Sequence, residues 1–536
     1  MGYFRWDRPP GPKWTRRRLL GSLSGLPLLG LTGCRLPDPN GGSNTPVLAP
    51  LIDAHCHLFN VTDLPASSFA RIVMLKQYPH PPPPKDGEEL LKRIFDAVQE
   101  RVSRGVMTAD QEARQPNLKM MIADAPELSD ADERQLDQYA RDAEKALRKA
   151  PPQTGSCEPE SGFPALSPRS VIGWLKDLRS PRARLAAKLT RAHAKSGFAS
   201  RLLCPALVDY SNWLDQPLQS PLPDQVRAGG KLAINPGLPP VHGYVAFDPL
   251  RRALVRNKRP VKDGSWDPLA LARDALVNHG YLGIKLYPPM GFRPSGNAET
   301  GQHYPHYVTE AMGIQLDVGT ELDRSLDELW KLCLDLDAPV LAHGANSNAA
   351  GTDYGRRGDP AFWLPVVARF PKLRVLLGHF GRFGTYSADQ PRGSASCEVP
   401  FEATWEAAIG RFVQANPDSF LYADLSFLSE IFDEKDRQRS IAGMKKYLKL
   451  DEGGRHLVFG SDWVMLGVTK EYSKDGGYPY RIVQFLKDCG LGDPQISGIM
   501  FENAVRLLGL AEGAGARDRL LKFYATHGLP PGRLPS

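Results

Sequence analysis

The chain has 536 residues, of which 42% are hydrophobic and 24% charged, and this ordinary composition predicts a globular protein with a conventional hydrophobic core. The formal net charge is +7, but five of these charges fall in the first 33 residues, so the remainder is too weakly basic to indicate a nucleic-acid-binding protein. The seven cysteines include no Cys-x-x-Cys pair, which excludes a zinc ribbon and a dithiol redox motif.

The first residues have the pattern of a bacterial export signal. A twin-arginine stretch, Thr-Arg-Arg-Arg-Leu-Leu at 15–20, leads into an apolar run at 19–31 that is too short to span a membrane. The run stops just before Cys34, which resembles the lipidated cysteine of a bacterial lipobox; a plain signal peptide is the alternative. We expect a signal at 1–34, a flexible tether at 35–46 and a periplasmic or lipid-anchored protein exported by the twin-arginine route.

Eight short apolar segments, each ending in polar, glycine or proline residues, predict β-strands along the chain. They lie at 47–53, 201–208, 243–247, 283–287, 339–342, 374–377, 419–425 and 456–459. Helical patterns separate the later segments, and this alternation predicts a parallel sheet of the α/β class. Eight such units favour a closed (β/α)8 TIM barrel. An open doubly wound sheet is the alternative, but it normally has a glycine-rich phosphate loop after an early strand, and we find none.

The barrel is expected to comprise residues 47–59 and 199–515. The stretch between them, 60–198, is far too long for a loop between a strand and its helix. Its helical patterns predict a mostly helical insertion after the first strand, which could serve as a lid, as the dimer surface of a homo-oligomer or as a docking element. Residues 516–536 are expected to form a C-terminal tail.

The first predicted strand closes with two histidines. Residues 53–57 read Asp-Ala-His-Cys-His, and residues two apart in a strand point to the same side. His55 and His57 can therefore bind one metal ion together. A single His-x-His motif is a weak signal, so its weight depends on where other ligand-type residues lie.

Four further residues of this type lie at or near the ends of later predicted strands. His343 follows the fifth strand, His379 the sixth and Asp462 the eighth, while Lys285 lies within the fourth. In a (β/α)8 barrel the carboxyl ends of all strands meet at one face, where active sites are built. If the histidines were only core residues, their concentration at strand ends would be a coincidence. The sequence therefore predicts a metal-binding active site.

These segments resemble the amidohydrolase superfamily, in particular its amidohydrolase-related branch and the relatives of aminocarboxymuconate-semialdehyde decarboxylase. The stretches that carry the resemblance are 53–60, 284–292, 341–344, 377–381 and 459–463. They keep the family's order along the chain, and the resemblance covers about 47–60 and 199–510. Residues 60–198 show no comparable similarity.

The resemblance implies a metal-dependent enzyme whose ion is held by His55, His57, His343 and Asp462. Three imidazoles and a carboxylate suit Zn²⁺, with Fe²⁺ and Mn²⁺ as alternatives. Asp462 is also expected to take a proton from the attacking water.

Two residues decide between one metal ion and two. The resemblance implies that His379 acts as a base or stabilises the transition state when one ion is bound, and that it becomes a ligand when two are bound. A carboxylated Lys285 would bridge two ions in binuclear relatives. The simpler interpretation, one ion with Lys285 binding substrate or pairing with a buried carboxylate, is the one we adopt as the expectation.

The expected activity is hydrolysis of a C–O or C–N bond in a small molecule such as a lactone, ester or amide. A non-oxidative decarboxylase is an alternative, because such enzymes share the same ligand set. Further alternatives are a metal-free lactonase and a non-catalytic envelope lipoprotein. Arg293, Arg382 and Trp463 follow catalytic strands and are expected to contact substrate, with an arginine pairing with a carboxylate.

Overall fold

The protein is described here as a computed structural model that covers residues 48–79, 86–116, 127–147, 166–299, 302–381, 387, 399–465 and 476–536. Its strands are β1 Ala49–Cys56, β2 Phe198–Pro205, β3 Tyr244–Ala246, β4 Gly283–Leu286, β5 Val340–His343, β6 Val375–Gly378, β7 Leu421–Asp424 and β8 Leu457–Val458. The expected signal, tether and Cys34 lie outside the described residues. Among the described helices, none is long and apolar enough to cross a membrane.

The strands form two parallel sheets. One contains β1 and β2, and the other contains β3 to β8 in chain order. Every predicted segment overlaps one of these strands, and the expected α/β class with parallel pairing is confirmed. Between β2 and β3 the described residues show two isolated parallel bridges, Leu203 with Val241 and Ala206 with Tyr244. Closure of both sheets into one barrel therefore stays a prediction.

Helices fill the described part of the segment between β1 and β2. They are α1 Ala66–Ser68, which continues as a π-helix over Phe69–Met74, α2 Asp86–Ser103, α3 Ala109–Ala113, α4 Asp130–Leu147, α5 Pro168–Asp177 and α6 Arg182–Lys195. A buried arginine joins three of its parts: Arg182 pairs with Asp63 and, at 3.1 Å, with Glu112. The helical character is as predicted, while the interpretation as an insertion into a barrel stays a prediction.

The helices after β2 are α7 Leu222–Ala233, α8 Pro249–Arg256, α9 Pro268–Asn278, α10 His306–Met312, α11 Val318–Asp335, α12 Pro360–Arg369, α13 Trp405–Ala415, α14 Glu434–Tyr447, α15 Gly477–Asp488, α16 Asp493–Ser497, α17 Asn503–Leu507 and α18 Gly515–Thr526. In three of them an aspartate immediately precedes the helix and a proline is its first residue. The carboxylates of Asp248, Asp267 and Asp359 accept hydrogen bonds from the first free backbone N–H groups, and the proline that follows has a backbone angle suited to the first helical position.

The residues expected as a tail include an ordered helix. Arg519 of α18 donates hydrogen bonds to the backbone carbonyls of Leu276, Tyr281 and Leu282 at 2.6 to 2.9 Å. Tyr524 of the same helix donates to the Nε2 atom of His242, whose Nδ1 donates to the carbonyl of Gly280. The C-terminal helix is thus fixed to the connections before β3 and β4.

The buried His242 predicts a pH dependence of stability. Burial lowers the pKa of His242 to about 4, whereas an unfolded histidine has a pKa of about 6.5. Between these values the unfolded chain binds more protons, so the folded state loses stability as the pH falls through this window. At pH 5 the loss from this residue is about 2 kcal/mol. Replacing His242 by Gln should remove about that much of the difference in unfolding free energy between pH 7 and pH 5, measured by urea denaturation.

The matched control is His279→Gln. His279 lies at the end of α9 and its side chain is 28% exposed. The pH slope of the unfolding free energy in His279→Gln gives the effect of losing a partly exposed histidine, against which His242→Gln is compared. An unaltered slope in His242→Gln would show that His242 does not carry this dependence.

Candidate active site

The two histidines at the end of β1, His55 and His57, are buried and lie close to each other. Their ring centroids are 5.4 Å apart. The Nδ1 atom of His57 donates to the carbonyl of Ala206, and the Nδ1 atom of His55 donates to the Oδ2 atom of Asp424, both at 2.9 Å. These acceptors place the ring protons on Nδ1, so both Nε2 atoms carry lone pairs. Burial lowers the pKa of His55 well below its ordinary value, which keeps the ring neutral and suited to ligation.

Asp462 completes a group of three ligand-type side chains. It lies in the turn after β8, in a left-handed conformation that aspartate tolerates, and its backbone N–H donates to the carbonyl of His55 at 2.8 Å. Its Oδ1 atom is 3.2 Å from Nε2 of His57 and 3.7 Å from Nε2 of His55. Three acceptor atoms thus face one another in a buried space, and a cation bound there would neutralise the charge of the Asp462 carboxylate. This donor set fits a divalent metal ion.

The structure brings His343 and His379 together beside this group. Nδ1 of His343 is 3.1 Å from Nε2 of His379, and Nε2 of His343 is 3.0 Å from the hydroxyl of Ser347. Burial lowers the pKa of both rings, that of His379 to about 4. His343 is not one of the three mutually close residues, so its place as a metal ligand stays a prediction, as does the role of His379.

The turn that carries His379 has an unusual backbone. His379, Phe380 and Gly381 have φ angles of 72°, 42° and 60°, all in the left-handed region that residues with a side chain rarely adopt. The N–H of His379 donates to Oδ1 of Asp424 at 2.9 Å. Strained backbone of this kind concentrates at functional sites, where surrounding contacts hold it in place.

Lys285 lies at the same centre. Its Nζ atom is 3.3 Å from Nε2 of His55 and the side chain is buried. Burial lowers the pKa of Lys285 to about 8, against the opposing effect of the Asp462 and Asp424 carboxylates. This position agrees with both sequence-based interpretations, an anchor for substrate and a bridging ligand.

A cavity opens next to Lys285, between the carboxyl ends of β2, β3 and β4. Its walls combine apolar and aromatic side chains, Trp213, Phe247 and Phe292 among them, with the carboxylates of Asp209 and Asp248. Tyr287 also lines it, and its ring stacks on His343 with 4.4 Å between centroids. The cavity therefore adjoins the polar centre.

The three residues expected to bind substrate differ in where they lie and what they contact. Arg293 pairs with Glu299 at 2.6 Å and its guanidinium stacks on Phe362 at 4.3 Å, so its charge is already engaged. The carbonyl of Trp463 accepts a hydrogen bond from the N–H of His57, which places this residue at the rim of the centre. Arg382 lies outside the described residues. Substrate binding by all three stays a prediction.

Sequence reasoning missed Asp424 and Ser426. Asp424 ends β7 just as His343 ends β5, and the apolar run at 419–425 that closes on a carboxylate was the available signal. Ser426 gives no such signal, because a serine after a strand is common in turns.

The family comparison bears on these residues directly. Residues 259–510 match the family model described as Amidohydrolase. This part of the chain belongs to the amidohydrolase superfamily. The match includes Lys285, His343, His379 and Asp462 and begins after His55 and His57. Enzymes of this superfamily use divalent metal ions, and the His55, His57 and Asp462 group offers candidate ligands for one.

Several solved structures are similar to the chain at low identity. An amidohydrolase from Burkholderia multivorans with bound HEPES has 14% identity and a TM-score of 0.38, covering 63% of this chain and 91% of its own. A 4-oxalomesaconate hydratase from Rhodopseudomonas palustris has 12% identity and a TM-score of 0.36, covering 89% and 99%. A dihydroxybenzoic acid decarboxylase from Polaromonas sp. JS666, with manganese and 2-nitroresorcinol bound, has 12% identity and a TM-score of 0.33, covering 64% and 90%. No curated protein matches the chain.

Proposed function

We propose that this amidohydrolase-superfamily protein is a metal-dependent hydrolase that cleaves a C–O or C–N bond of a small molecule, such as a lactone, ester or amide. The observation that supports this most directly is the convergence of the two Nε2 atoms of His55 and His57 with the carboxylate of Asp462. These residues would hold the ion, with His343 as a fourth ligand.

The chemistry divides among the chain's own residues. A divalent ion such as Zn²⁺, when bound, supplies Lewis acidity and lowers the pKa of a coordinated water toward about 7. Asp462 accepts the proton of the attacking water, and His379, whose Nε2 atom carries a lone pair, acts as a second base or stabilises the transition state. Lys285, whose pKa of about 8 leaves it mostly charged at neutral pH, holds an anionic oxygen of the substrate.

The proposed substrate class rests on Lys285. A buried lysine beside the site histidines favours a carboxylate or a developing negative charge. The cavity next to it is lined by the carboxylates of Asp209 and Asp248 as well as by apolar and aromatic side chains, so its lining does not itself select an anion. The proposed substrate is therefore a small molecule with an anionic group that Lys285 holds.

The wider architecture and location belong to the same proposal. The two sheets close into a (β/α)8 barrel, with residues 60–198 inserted after its first strand. In support, the N–H of Ala54 donates to the carbonyl of Phe459 at 3.1 Å, between β1 and the end of β8. Export by the twin-arginine route, with lipidation at Cys34, is supported by the sequence of the first 34 residues.

Metal content tests the proposal first. The chain without residues 1–34 should contain about one zinc ion after growth with zinc, and His55→Ala should lose it. The control His306→Ala removes an exposed histidine and should keep the ion. The loaded protein should then hydrolyse members of a panel of lactones, esters and amides, and His55→Ala should not.

Three results would contradict parts of this proposal. Absence of metal from both proteins would contradict a metal enzyme and support a metal-free lactonase or a binding role. Two ions per chain would make Lys285 and His379 ligands. Release of carbon dioxide from aromatic acids, without hydrolysis of any ester or amide, would identify a decarboxylase instead.

A further inference from the structure

Asp424 and Ser426 contact two of the site histidines from behind. Oδ2 of Asp424 accepts from Nδ1 of His55 at 2.9 Å. The hydroxyl oxygen of Ser426 is 2.9 Å from Nδ1 of His379 and 3.1 Å from Nδ1 of His55. Both residues are fully buried at the end of β7.

The direction of each hydrogen bond follows from the donors that are available. Oδ1 of Asp424 accepts from the N–H of His379, from the N–H of Ser426 at 3.0 Å and from the Ser426 hydroxyl. Since the serine proton is directed to Asp424, the serine oxygen accepts the Nδ1 proton of His379. His379 then carries its lone pair on Nε2, where it accepts from Nδ1 of His343.

We propose that Asp424 and Ser426 are positioning residues that fix the tautomers of His55 and His379, so that each ring presents the lone pair of its Nε2 atom. The inference rests on the proposed function only in what these lone pairs are used for. Outer partners of this kind orient metal-ligating imidazoles in many proteins.

The same contacts argue against a second metal ion at Asp424. Ligand atoms of His55, His379 and Asp424 lie within 4.8 Å of one another, which is close enough for an ion. However, four donors already surround the two carboxylate oxygens, and Nδ1 of His55 would have to lose its proton to bind. Hydrogen bonds therefore compensate the charge of this buried carboxylate.

Replacing Asp424 by Asn tests this assignment. An asparagine keeps the shape, and its oxygen can still accept from the N–H groups of His379 and Ser426. Its NH2 group then faces Nδ1 of His55, which must become an acceptor and shift its proton to Nε2. We expect the affinity for Zn²⁺, measured by competition with a chromogenic chelator, to fall about 10- to 100-fold.

The control is Asp451→Asn. Asp451 is a buried carboxylate that accepts from Nδ1 of His456 at 2.9 Å, the same arrangement away from the site. It should leave the affinity for Zn²⁺ unchanged while showing what loss of a buried histidine–carboxylate pair does to stability. Ser426→Ala keeps the Ser426 carbonyl, 3.4 Å from Nδ1 of His379, as an acceptor for that ring, so the His379 tautomer should be retained and the affinity for Zn²⁺ should stay within about threefold.

Histidine tautomers are read directly from long-range ¹H–¹⁵N spectra of the metal-free protein labelled at histidine. Wild type should show protonated Nδ1 in His55 and His379, and Asp424→Asn should show protonated Nε2 in His55. This measurement remains decisive if the protein binds no zinc, a result that would contradict the proposed function alone. Unchanged tautomers in Asp424→Asn, or a fall from two bound ions to one, would overturn the assignment.

Discussion

Replacing Asp462 by Asn is expected to lower kcat/KM about 10³-fold on any ester, lactone or amide that the metal-loaded protein hydrolyses. The carboxylate has two tasks in the proposed mechanism. It faces the Nε2 atoms of His55 and His57, where its charge helps to hold a cation, and it accepts the proton of the attacking water. General-base catalysis alone contributes about 10²- to 10⁴-fold to enzymatic rates.

The asparagine at 462 is a demanding test because it changes little else. It keeps the size of the side chain, and the backbone N–H can still donate to the carbonyl of His55. Circular dichroism and the melting temperature should therefore be close to those of wild type. The control Asp451→Asn, equally buried but distant from the centre, should retain kcat/KM within about threefold.

Zinc content measured on the same samples separates the two tasks. If Asp462→Asn retains zinc but loses activity, the carboxylate acts chiefly as the base. If zinc and activity are lost together, it acts chiefly as a ligand. Full activity with full zinc content would contradict both tasks and remove Asp462 from the site.

Replacing Arg182 by Met is expected to destabilise the protein by about 3–5 kcal/mol at pH 7. Arg182 is buried between Asp63 and Glu112, and Nδ2 of Asn60 also donates to Glu112 at 3.0 Å. Burial alone would lower the pKa of Arg182, but the two carboxylates outweigh it and raise the pKa. Methionine fills similar space and leaves two carboxyl groups in an apolar interior.

The destabilisation should depend on pH with a definite sign. Burial already raises the pKa of Asp63 and of Glu112 despite the arginine, and removing the arginine raises both further. The variant's folded state therefore takes up protons more readily than its unfolded state. Its deficit relative to wild type should be larger at pH 8 than at pH 5.

Urea denaturation at both pH values measures this deficit. Arg191→Met, an exposed position on the same helix α6, is the control and should change the unfolding free energy by less than about 0.5 kcal/mol. Adding Asp63→Asn and Glu112→Gln to Arg182→Met should restore part of the loss, since the uncompensated charges are then gone. A deficit below about 1 kcal/mol, or one independent of pH, would contradict this account of the cluster.

Much of the site could be predicted because its residues lie at strand ends. His55, His57 and Asp462 converge as expected, since parallel strands deliver their carboxyl ends to one edge. The position of Lys285 followed from the same rule. The alternation of strand and helix patterns likewise sufficed for the α/β class.

What the sequence did not reveal depends on contacts between distant residues. Arg182 and Asp63 are 119 positions apart, and neither lies in a motif that links them. Arg293 is expected to meet substrate because it follows β4, and no motif indicates its ion pair with Glu299, six residues further on. The network through Ser426 depends on which proton each side chain donates, and one-dimensional patterns carry no such information.

The distance along the chain between β1 and β8, whose ends together form the site, has a consequence for how the protein is made. The two histidines are among the first described residues, at the end of β1, whereas the carboxylate that faces them follows β8, 405 positions after His57. During synthesis from the N-terminus, the imidazoles leave the ribosome long before their acidic partner exists. The complete donor set can form only once β8 has come together with β1, so binding of an ion would be one of the last events of folding. A bound ion would therefore indicate that both ends of this part of the chain have folded together.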